Sequence, residues 1–514
     1  MGNFCATSDA EGNSKAHGHT SVDEDKEIFG NLIGTVRDKR WEDNYIMKKK
    51  LGAGITGAVY VVERKDKPGQ RYALKSVNLK KLDPAQLKEL RNEVALLKKL
   101  DHPHIVRLYE CYETDVSMDL ILELMEGGDL HDAYYKTPDK FTEAKVCELI
   151  CQLVSAVAYC HGLGITHRDI KPANICFSKG DFENVKLIDF GIGKLLSNTR
   201  GSFWGKREKQ TMCGTVVYVA PEILTGKYDC LIDIWAIGIL TYFYLSGRTP
   251  FQGATQNETM DNIERHKKLI FRGPKWRSIS AEAKDFIQLL LTPNPKHRPQ
   301  AEEVLKHPWF RKWLRKSGDE EHVEAPELPS EVLHNISKYA KFSPLKKMAM
   351  MAVAQDLSGP QLEKLQQTFS EIDTNNLGTI NQEEMLQALK GIIPVKDAVN
   401  IFDGLDFDKT GKIRYGEFLA AAMDTNKVLE KNSLRVAFNK LDKDNSGFIS
   451  VSNLIQIAGK VYGEDVISNS LKEFDIKANG VIDFEEFLAL MDAKGVESST
   501  KENTAKVSDV NVDP

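Results

Sequence analysis

The stretch HRDIKPAN at residues 167–174, followed after an apolar run by LIDFG at residues 187–191, determines how the rest of the chain is interpreted. Asp169 precedes the amide of Asn174 by five residues, and a second acid, Asp189, stands directly before Phe-Gly. This order of side chains suits phosphoryl transfer from ATP, in which one carboxylate accepts the proton of a substrate hydroxyl. Asp169 is therefore the candidate base, and Asn174 and Asp189 are the candidate ligands of the Mg²⁺ ions that bridge the phosphates.

In these residues the sequence resembles the eukaryotic protein kinase family. The resemblance implies a glycine-rich loop, a strand lysine, a helix glutamate and a downstream Ala-Pro-Glu, and all four are present. Residues 51–60 (LGAGITGAVY) fit the loop, in which backbone N–H groups approach phosphates closely. Lys75 would contact the phosphates and pair with Glu93 on the amphipathic helix 85–100, and residues 120–125 would form the last strand and the hinge that binds adenine. The expected nucleotide-binding residues are Leu51, Gly52, Gly54, Gly57, Val59, Ala73, Lys75, Glu93, Glu123 and Met125.

The same resemblance implies further roles. Lys171, two residues after Asp169, matches the serine/threonine-kinase pattern and completes the catalytic set with Asp169 and Asn174. Glu222 of the Ala-Pro-Glu motif is expected to pair with Arg298, as a structural bond. Asp233 is expected to brace the backbone of the catalytic loop from a buried helix.

The composition is that of a globular protein in a reducing compartment. The 514 residues include 41% apolar and 28% charged residues and suffice for about two to four domains. A net charge of -5 gives no reason to expect nucleic-acid binding, and the eight cysteines form no C-x-x-C pair. Residues 1–22 are polar, so no signal peptide is predicted, and the apolar run 230–245 is interpreted as a buried helix.

The first residues, MGNFCAT, resemble an acylation signal. Gly2 would be exposed after removal of methionine, although Ala6 stands where the myristoylation pattern favours Ser or Thr. Cys5 would be a palmitoylation site, and two chains are needed for stable anchoring. The alternative is an unmodified tail. Residues 1–40 are expected to be disordered, and the expected localisation is cytoplasmic, with membrane association through Gly2 and Cys5.

The expected kinase domain, residues 41–313, precedes a linker and junction at residues 314–357. Apolar side chains recur at three-residue steps between residues 333 and 351, and the four lysines in this segment meet no acid until Asp356. A basic, Met-rich amphipathic segment of this kind is typical of calmodulin targets. Pro344 is expected to divide it into two shorter helices. The alternative is an ordinary packed helix that ends the kinase domain.

Between residues 358 and 493 an internal repeat of about 35 residues occurs four times. Every repeat has an acid at loop position 1, glycine at position 6 for a sharp turn, and isoleucine at position 8 for a β contact between loops. These spacings predict two EF-hand pairs, and residues 494–514 are expected to be a disordered tail. The expected Ca²⁺ ligands are Asp373, Asn375, Thr379 and Glu384 in the first loop; Asp406, Asp408, Thr410, Lys412 and Glu417 in the second; Asp442, Asp444 and Ser446 in the third; and Asp475, Asn479 and Glu486 in the fourth.

The four loops are not equal. The second keeps oxygen side chains at positions 1, 3 and 5 and glutamate at position 12, although Arg414 at position 9 is unusual. The first has Leu377 at position 5, the third ends in Asn453, and the fourth has Lys477 at position 3. Because Ca²⁺ affinity follows ligand number and charge, the second loop is expected to bind best, and fewer than four ions are expected to bind at micromolar Ca²⁺.

A kinase domain, a calmodulin-target-like junction and a calmodulin-like domain in this order resemble the calcium-dependent protein kinase family of plants and alveolate protists. The resemblance covers residues 41–492. It implies an α+β, bilobal kinase fold followed by an all-α calmodulin-like domain of two EF-hand pairs, with ATP, Mg²⁺ and Ca²⁺ as cofactors. It also implies a serine/threonine kinase that its junction holds inactive until Ca²⁺ binds to its own EF-hands, in an intramolecular pairing.

The expected partners are protein substrates with Ser or Thr near basic residues, and no nucleic acid. Two positions weaken the basic preference: Asp129 stands where a longer glutamate often contacts the substrate, and Ala173 replaces a common glutamate. Two alternatives remain open at this point. One is a constitutive or otherwise regulated kinase with structural EF-hands, and the other is a Ca²⁺-binding scaffold with an inactive kinase lobe.

Overall fold

The computed structural model describes residues 28–37, 39–54, 57–180, 182–190, 216–226, 228–265, 268–314, 328–424 and 430–492. The predicted acylation sites Gly2 and Cys5 lie outside these residues, as do the predicted tail 494–514 and the segment 191–215. Within the described ranges, no helix is both long enough and apolar enough to span a membrane.

A six-stranded sheet forms the first lobe, in the order β1-β5-β6-β4-β3-β2. Strands β2 to β6 pair antiparallel, whereas β1 joins the edge in parallel with β5. β-branched and aromatic residues, which fit a pleated and half-buried surface, are common in these strands. The strands are β1 Thr35–Arg37, β2 Tyr45–Gly54, β3 Gly57–Arg64, β4 Arg71–Asn78, β5 Leu108–Glu113 and β6 Ser117–Leu122.

Helix α2, Pro84–Lys99, packs beside this sheet. It begins with a reciprocal cap, because the carboxylate of Asp83 accepts the N–H of Gln86 at 2.8 Å and the side chain of Gln86 accepts the N–H of Asp83 at 2.9 Å. Pro84 at the first helical position lacks an N–H that would have no partner there. Apolar residues at three- and four-residue spacing bury the inner face of the helix.

The second lobe is mainly helical and is centred on helices α4 and α6. The membrane-like run predicted to be a buried helix is α6, in which 14 of 16 residues are buried. Strands β7 Ile175–Phe177 and β8 Val185–Leu187 form an antiparallel pair that packs against α3 and α4. The helices are α3 Leu130–Lys136, α4 Glu143–Gly162, α5 Pro221–Thr225, α6 Leu231–Ser246, α7 Gln256–Glu264, α8 Pro274–Ser278, α9 Ala281–Leu290, α10 Ala301–Val304 and α11 Pro308–Leu314.

The C-terminal region contains the two junction helices and eight EF-hand helices within its described residues. Short strands join the loops in pairs, β9 Thr379–Asn381 with β10 Lys412–Arg414 and β11 Ile449–Ser450 with β12 Val481–Ile482. The helices are α12 Ser330–Tyr339, α13 Pro344–Ala354, α14 Gly359–Ile372, α15 Gln382–Ala388, α16 Val395–Leu405, α17 Tyr415–Ala422, α18 Lys431–Leu441, α19 Val451–Ala458, α20 Glu464–Lys472 and α21 Phe484–Asp492.

One boundary differs from the sequence prediction. Residues 28–37, which lie within the segment expected to be disordered, form helix α1 Ile28–Leu32 and strand β1. Two adjacent apolar residues, Leu32 and Ile33, are 1% and 5% exposed, so this segment is part of the folded structure. Two buried residues suffice to hold so short a segment. The polar residues around them form no pattern that predicts a helix or strand.

Candidate active site and calcium loops

The catalytic loop, residues 167–174, rests on Asp233 of helix α6. The two oxygens of this buried carboxylate accept the N–H of His167 at 2.8 Å and the N–H of Arg168 at 2.9 Å. Burial alone would raise the pKa of Asp233, but the hydrogen bond and charge of His161, 3.0 Å away, lower it. Arg168 takes a φ of 68°, which needs support from its surroundings. The predicted bracing role of Asp233 is confirmed.

Asp169 lies in a network with the other two predicted catalytic residues. Nζ of Lys171 donates to Oδ2 of Asp169 at 2.7 Å, and Nδ2 of Asn174 donates to the same oxygen at 2.9 Å. The amide of Asn174 also donates to the main-chain oxygen of Asp169 at 2.8 Å. Because donors fix the carboxylate from two sides, its orientation is set before any substrate binds.

Asp189 is brought beside this loop by the strand pair β7 and β8. The N–H of Ile188 donates to the main-chain oxygen of Asn174 at 2.9 Å, which ties the two segments together. Nζ of Lys75 donates to Oδ1 of Asp189 at 2.5 Å, so an ion pair joins the two lobes. The side chain of Asp189 is 48% exposed, which leaves its carboxylate accessible from the cleft.

The predicted ion pair between Lys75 and Glu93 is not formed among the described residues, and this is a correction. Oε2 of Glu93 is buried and has no hydrogen-bond partner in this part of the chain. Burial raises the pKa of Glu93 to about 7, against the opposing charges of Arg168 and Lys75. Two carboxylates compete for one ammonium group, and Asp189 holds it in this arrangement.

The glycine-rich loop connects β2 and β3, as predicted, although residues 55 and 56 at its tip are not described. Gly57 has a φ of 145°, and a Cβ there would lie 1.9 Å from the main-chain oxygen of Ser76, so no side chain fits. Val59 lies opposite Lys75 in the register of β3 and β4, which places the lysine strand next to the loop. In the hinge, the main chain of Met125 has no hydrogen-bond partner within the described residues and suits recognition of adenine.

The donor set fits the groups that a kinase site requires. Asn174 and Asp189 offer the oxygen ligands that Mg²⁺ prefers, on two segments held together by a backbone bond. Lys75, whose side chain is 5% exposed, offers a positive charge fixed in place. Magnesium bound at this site would neutralise the charge that develops on the transferred phosphoryl group.

The four EF-hand loops have the predicted geometry. Ile380 pairs with Ile413 and Ile449 with Ile482, which confirms the β contact predicted for loop position 8. The glycines at position 6 have φ angles from 71° to 85°, a region that favours glycine. These glycines are Gly378, Gly411, Gly447 and Gly480.

The second loop brings together the buried carboxylates of Asp406, Asp408 and Glu417, with one oxygen of each within 4.8 Å of the others. Burial, and after it the charge of Asp408, raises the pKa of Glu417. Three oxygen donors this close suit a divalent cation. Arg414 at position 9 already contacts the cluster, because its Nε lies 2.6 Å from Oδ2 of Asp408. The unusual arginine therefore competes for one ligand of this loop.

The other loops depart from this arrangement at the positions that the sequence indicated. In the first loop, Leu377 at position 5 offers no side-chain oxygen, although its N–H donates to Oδ1 of Asp373 at 3.0 Å, as the N–H at this position does in the other three loops. In the third, the buried Asn453 presents one amide oxygen where glutamate would present two. In the fourth, Lys477 turns to Asp483 at position 9 and forms an ion pair there.

The junction is enclosed by the EF-hand helices. The predicted break at Pro344 is present, since α12 ends at Tyr339 and α13 begins at Pro344. All ten residues from 345 to 354 are buried, and α13 packs against α17, α18, α20 and α21. The alternative of a helix that ends the kinase domain is wrong, because α13 lies in the hydrophobic core of the EF-hand domain.

Two lysines of α13 bind the ends of EF-hand helices. Nζ of Lys346 donates to the main-chain oxygen of Leu490 in α21 at 2.9 Å, and Nζ of Lys347 donates to that of Gly404 in α16 at 2.7 Å. Both oxygens lie in the last turn of their helix, where unpaired carbonyls and the helix dipole attract cations. Burial lowers the pKa of both lysines to about 8. The lysines thus fix the position of α13 between the EF-hand pairs.

Contacts between the EF-hand and kinase domains were missed by sequence reasoning. Asp356, directly after α13, lies 3.4 Å from Arg64 of β3 and 3.1 Å from Lys440 of α18, and none of the three side chains is more than 10% exposed. The N–H of Gly416 donates to Oδ2 of Asp101, beyond α2, at 2.5 Å. Arg64 and Asp356 are 292 residues apart in the chain, so no local pattern could have paired them.

The fold and this site define a protein kinase that carries its own EF-hand sensor. The protein kinase domain family matches residues 45–310, and the EF-hand domain pair matches residues 362–423 and 431–492. The chain is 34% identical over 479 residues to calcium-dependent protein kinase 5 of Plasmodium falciparum, with 90% of this chain and 80% of that protein covered. It is also 34% identical over 459 residues to calcium-dependent protein kinase 9 of Arabidopsis thaliana, with 87% and 81% covered.

The chain belongs to the calcium-dependent protein kinases. The predicted fold class and the predicted activity, that of a calcium-dependent serine/threonine kinase, are confirmed. The kinase domain implies ATP, Mg²⁺ and protein substrates, and the EF-hand domain implies Ca²⁺ and intramolecular regulation. The roles of the individual site residues stay predictions, and the structure brings Asp169, Lys171, Asn174 and Asp189 together as those roles require.

Proposed function

We propose that the junction, residues 314–357, holds the kinase inactive at low Ca²⁺ and that its capture by the EF-hand domain releases the active site. The observation that carries this proposal is the complete burial of residues 345–354 in the EF-hand core. An apolar helix enclosed there cannot press on the kinase lobe at the same time. One segment with two mutually exclusive binding sites is a switch, provided that Ca²⁺ favours one of them.

The captured arrangement has its own stabilising contacts. EF-hands that bind Ca²⁺ expose apolar grooves for amphipathic helices, and the tether to the junction makes this capture intramolecular. Asp356 then joins the end of α13 to Arg64 on β3, in a pair 7% exposed on each side. Asp189 is half exposed in this arrangement, so its carboxylate can be reached from solvent.

Removal of the junction tests the inhibitory role. A chain that ends after residue 327 should phosphorylate a serine peptide in the presence of a Ca²⁺ chelator, at a rate near that of the full chain with saturating Ca²⁺. The reason is that both junction helices, α12 and α13, are removed, so neither can occupy the kinase lobe. The measurement is the initial rate of phosphate transfer, with the chelated full chain as the inactive control. A truncated kinase that is folded but silent would show that the C-terminal region activates the lobe instead of merely releasing it.

We also propose that substrates carry basic residues near the phosphorylated Ser or Thr. Acidic side chains stand beyond the hinge, at Glu126, Asp129 and Asp132. All three are already engaged: Glu126 pairs with Arg71 at 2.5 Å, Oδ1 of Asp129 accepts the N–H of Asp132 at 2.8 Å, and Oδ2 of Asp132 accepts from Nζ of Lys136 at 3.3 Å. The preference for basic residues should therefore be modest.

Finally, we propose that Gly2 and Cys5 are acylated and hold the kinase at the cytoplasmic face of a membrane. Two acyl chains anchor durably, whereas one binds reversibly. Gly2→Ala should move the protein from the membrane fraction to the soluble fraction, and Cys5→Ser should leave weak, reversible binding. Fractionation of cells that express each form measures this. A wholly soluble distribution of the unaltered protein would contradict the proposal.

A further inference from the structure

Residues 28–37, which we name the N-terminal link, contact the kinase lobe at one end and the third EF-hand at the other. The link consists of helix α1 and strand β1, with two residues between them. We propose that it couples the conformation of the third EF-hand to the position of helix α2, which carries Glu93. The coupling rests on the proposed capture, because Leu32 packs in the core that encloses the junction.

The contacts with the third EF-hand involve both its loop and its outgoing helix. Lys443, the second residue of the loop, donates from Nζ to the main-chain oxygens of Asn31 at 2.6 Å and Leu32 at 3.2 Å. Nδ2 of Asn31 donates to the main-chain oxygen of Ile457 in α19 at 3.1 Å. Leu32 is 1% exposed and lies in the same hydrophobic core as the junction helices. Because α13 packs on both α17 of the second EF-hand and α18 of the third, a change in helix angle when Ca²⁺ binds the second loop should reach the third EF-hand, and a segment bonded to its loop and helix should move with it.

The contacts with the kinase lobe lie at the end of α2 and at the edge of the sheet. Gly30 packs on the backbone of Lys98 so closely that a Cβ would lie 3.1 Å from its oxygen. Nζ of Lys98 donates to Oγ1 of Thr35 at 2.6 Å. Thr35 pairs with Cys111 as β1 adds to the sheet. Ile33, next to Leu32, is 5% exposed and lies in the kinase core.

The position of α2 matters because it sets the distance between Glu93 and Lys75. One of its oxygens is buried without a partner in the described chain, while Lys75 is held by Asp189. Lys98 lies five residues beyond Glu93 on the same helix, which is about one and a half turns. A link that fixes this end of α2 in one arrangement of the EF-hand, and not in another, would bias whether Glu93 reaches Lys75.

The adjacent residues Leu32 and Ile33 provide a matched pair for the test, because each is buried in a different core. In the full-length chain, Leu32→Ala should raise the half-activating Ca²⁺ concentration by about fivefold or more, the usual lower range of coupling between sites. It should also abolish the Ca²⁺-dependent part of amide protection in α2, measured by hydrogen exchange. Ile33→Ala should lower protection of the first lobe with and without Ca²⁺, and should leave the half-activating concentration unchanged.

Equal increases of the half-activating Ca²⁺ concentration in Leu32→Ala and Ile33→Ala would overturn the proposal, because the link would then act only through the stability of the kinase lobe. An unchanged Ca²⁺ response of α2 in Leu32→Ala would overturn it as well. If Leu32→Ala does not fold, Asn31→Ala decides, since it removes the bond to Ile457 without opening a cavity. In Asn31→Ala, an increase of the half-activating Ca²⁺ concentration that is smaller than the one expected for Leu32→Ala supports the proposal, and no increase refutes it. The truncation test of the junction is unaffected by any of these results.

Discussion

Asp189→Asn should reduce phosphoryl transfer by roughly 100- to 1,000-fold or more, the cost of losing one group that stabilises the developing charge. Asp189 is half exposed to the cleft, and its Oδ1 holds Lys75 at 2.5 Å. Asparagine has nearly the same size, so the fold should survive while the charge is lost. Asp169→Asn should have a similar effect, because the amide cannot accept the proton of the substrate hydroxyl.

The measurement is the steady-state rate at saturating ATP, Mg²⁺ and Ca²⁺, together with the thermal unfolding midpoint of each variant. Asp139→Asn is the matched control, since Asp139 is an exposed acid on the same lobe and should keep full activity. A folded Asp189→Asn variant with near-full activity would refute the assignment of Asp189 as a Mg²⁺ ligand.

Asp406→Ala should cost much more of the Ca²⁺ response than Asp475→Ala. Asp406 belongs to the cluster of three buried carboxylates in the second loop, whereas the fourth loop has Lys477 where a ligand is needed. To change the ratio of active to inactive kinase from 1:99 to 99:1, Ca²⁺ must bind the active state more tightly by roughly 5.5 kcal/mol. One or two effective loops must therefore each supply several kcal/mol of this difference. We expect Asp406→Ala to raise the half-activating Ca²⁺ concentration by roughly tenfold or more, and Asp475→Ala by less than about twofold.

Arg414→Gln tests the same loop in the opposite direction. The arginine lies 2.6 Å from Oδ2 of Asp408, so its removal should free a ligand and lower the half-activating concentration. Calorimetry on the full chain should find fewer than four Ca²⁺ ions bound at micromolar concentration. Four tight sites, or a larger effect of Asp475→Ala than of Asp406→Ala, would contradict this ranking of the loops.

The parts of the molecule that the sequence predicted are those in which chemistry restricts both residue type and spacing. Phosphoryl transfer needs a base and metal ligands at fixed separations, so Asp169, Asn174 and Asp189 were identifiable from one short stretch. The EF-hand loops were identifiable because position 6 needs a residue that adopts positive φ and positions 1 and 12 need carboxylates. Pro344 marked a break between helices because proline cannot continue one from within.

The features that were missed depend on contacts between residues far apart in the chain, or on competition between two acids for one partner. Glu93 was predicted to hold Lys75, but Asp189 reaches the same ammonium group. The sequence does not show which of the two acids forms the ion pair. The Arg64–Asp356–Lys440 contact joins three segments whose local patterns are unremarkable. The N-terminal link was assigned to disorder because two buried residues, Leu32 and Ile33, make no periodic pattern.

The central claim is that Ca²⁺ bound to the EF-hands of this chain moves its junction and activates its own kinase lobe. The most direct test is the initial rate of peptide phosphorylation by the purified full-length chain across free Ca²⁺, from chelated to saturating. We predict almost no transfer in chelator, activation at micromolar Ca²⁺, and a rise less steep than four cooperative sites would give. A rate that is the same at every Ca²⁺ concentration would contradict the claim.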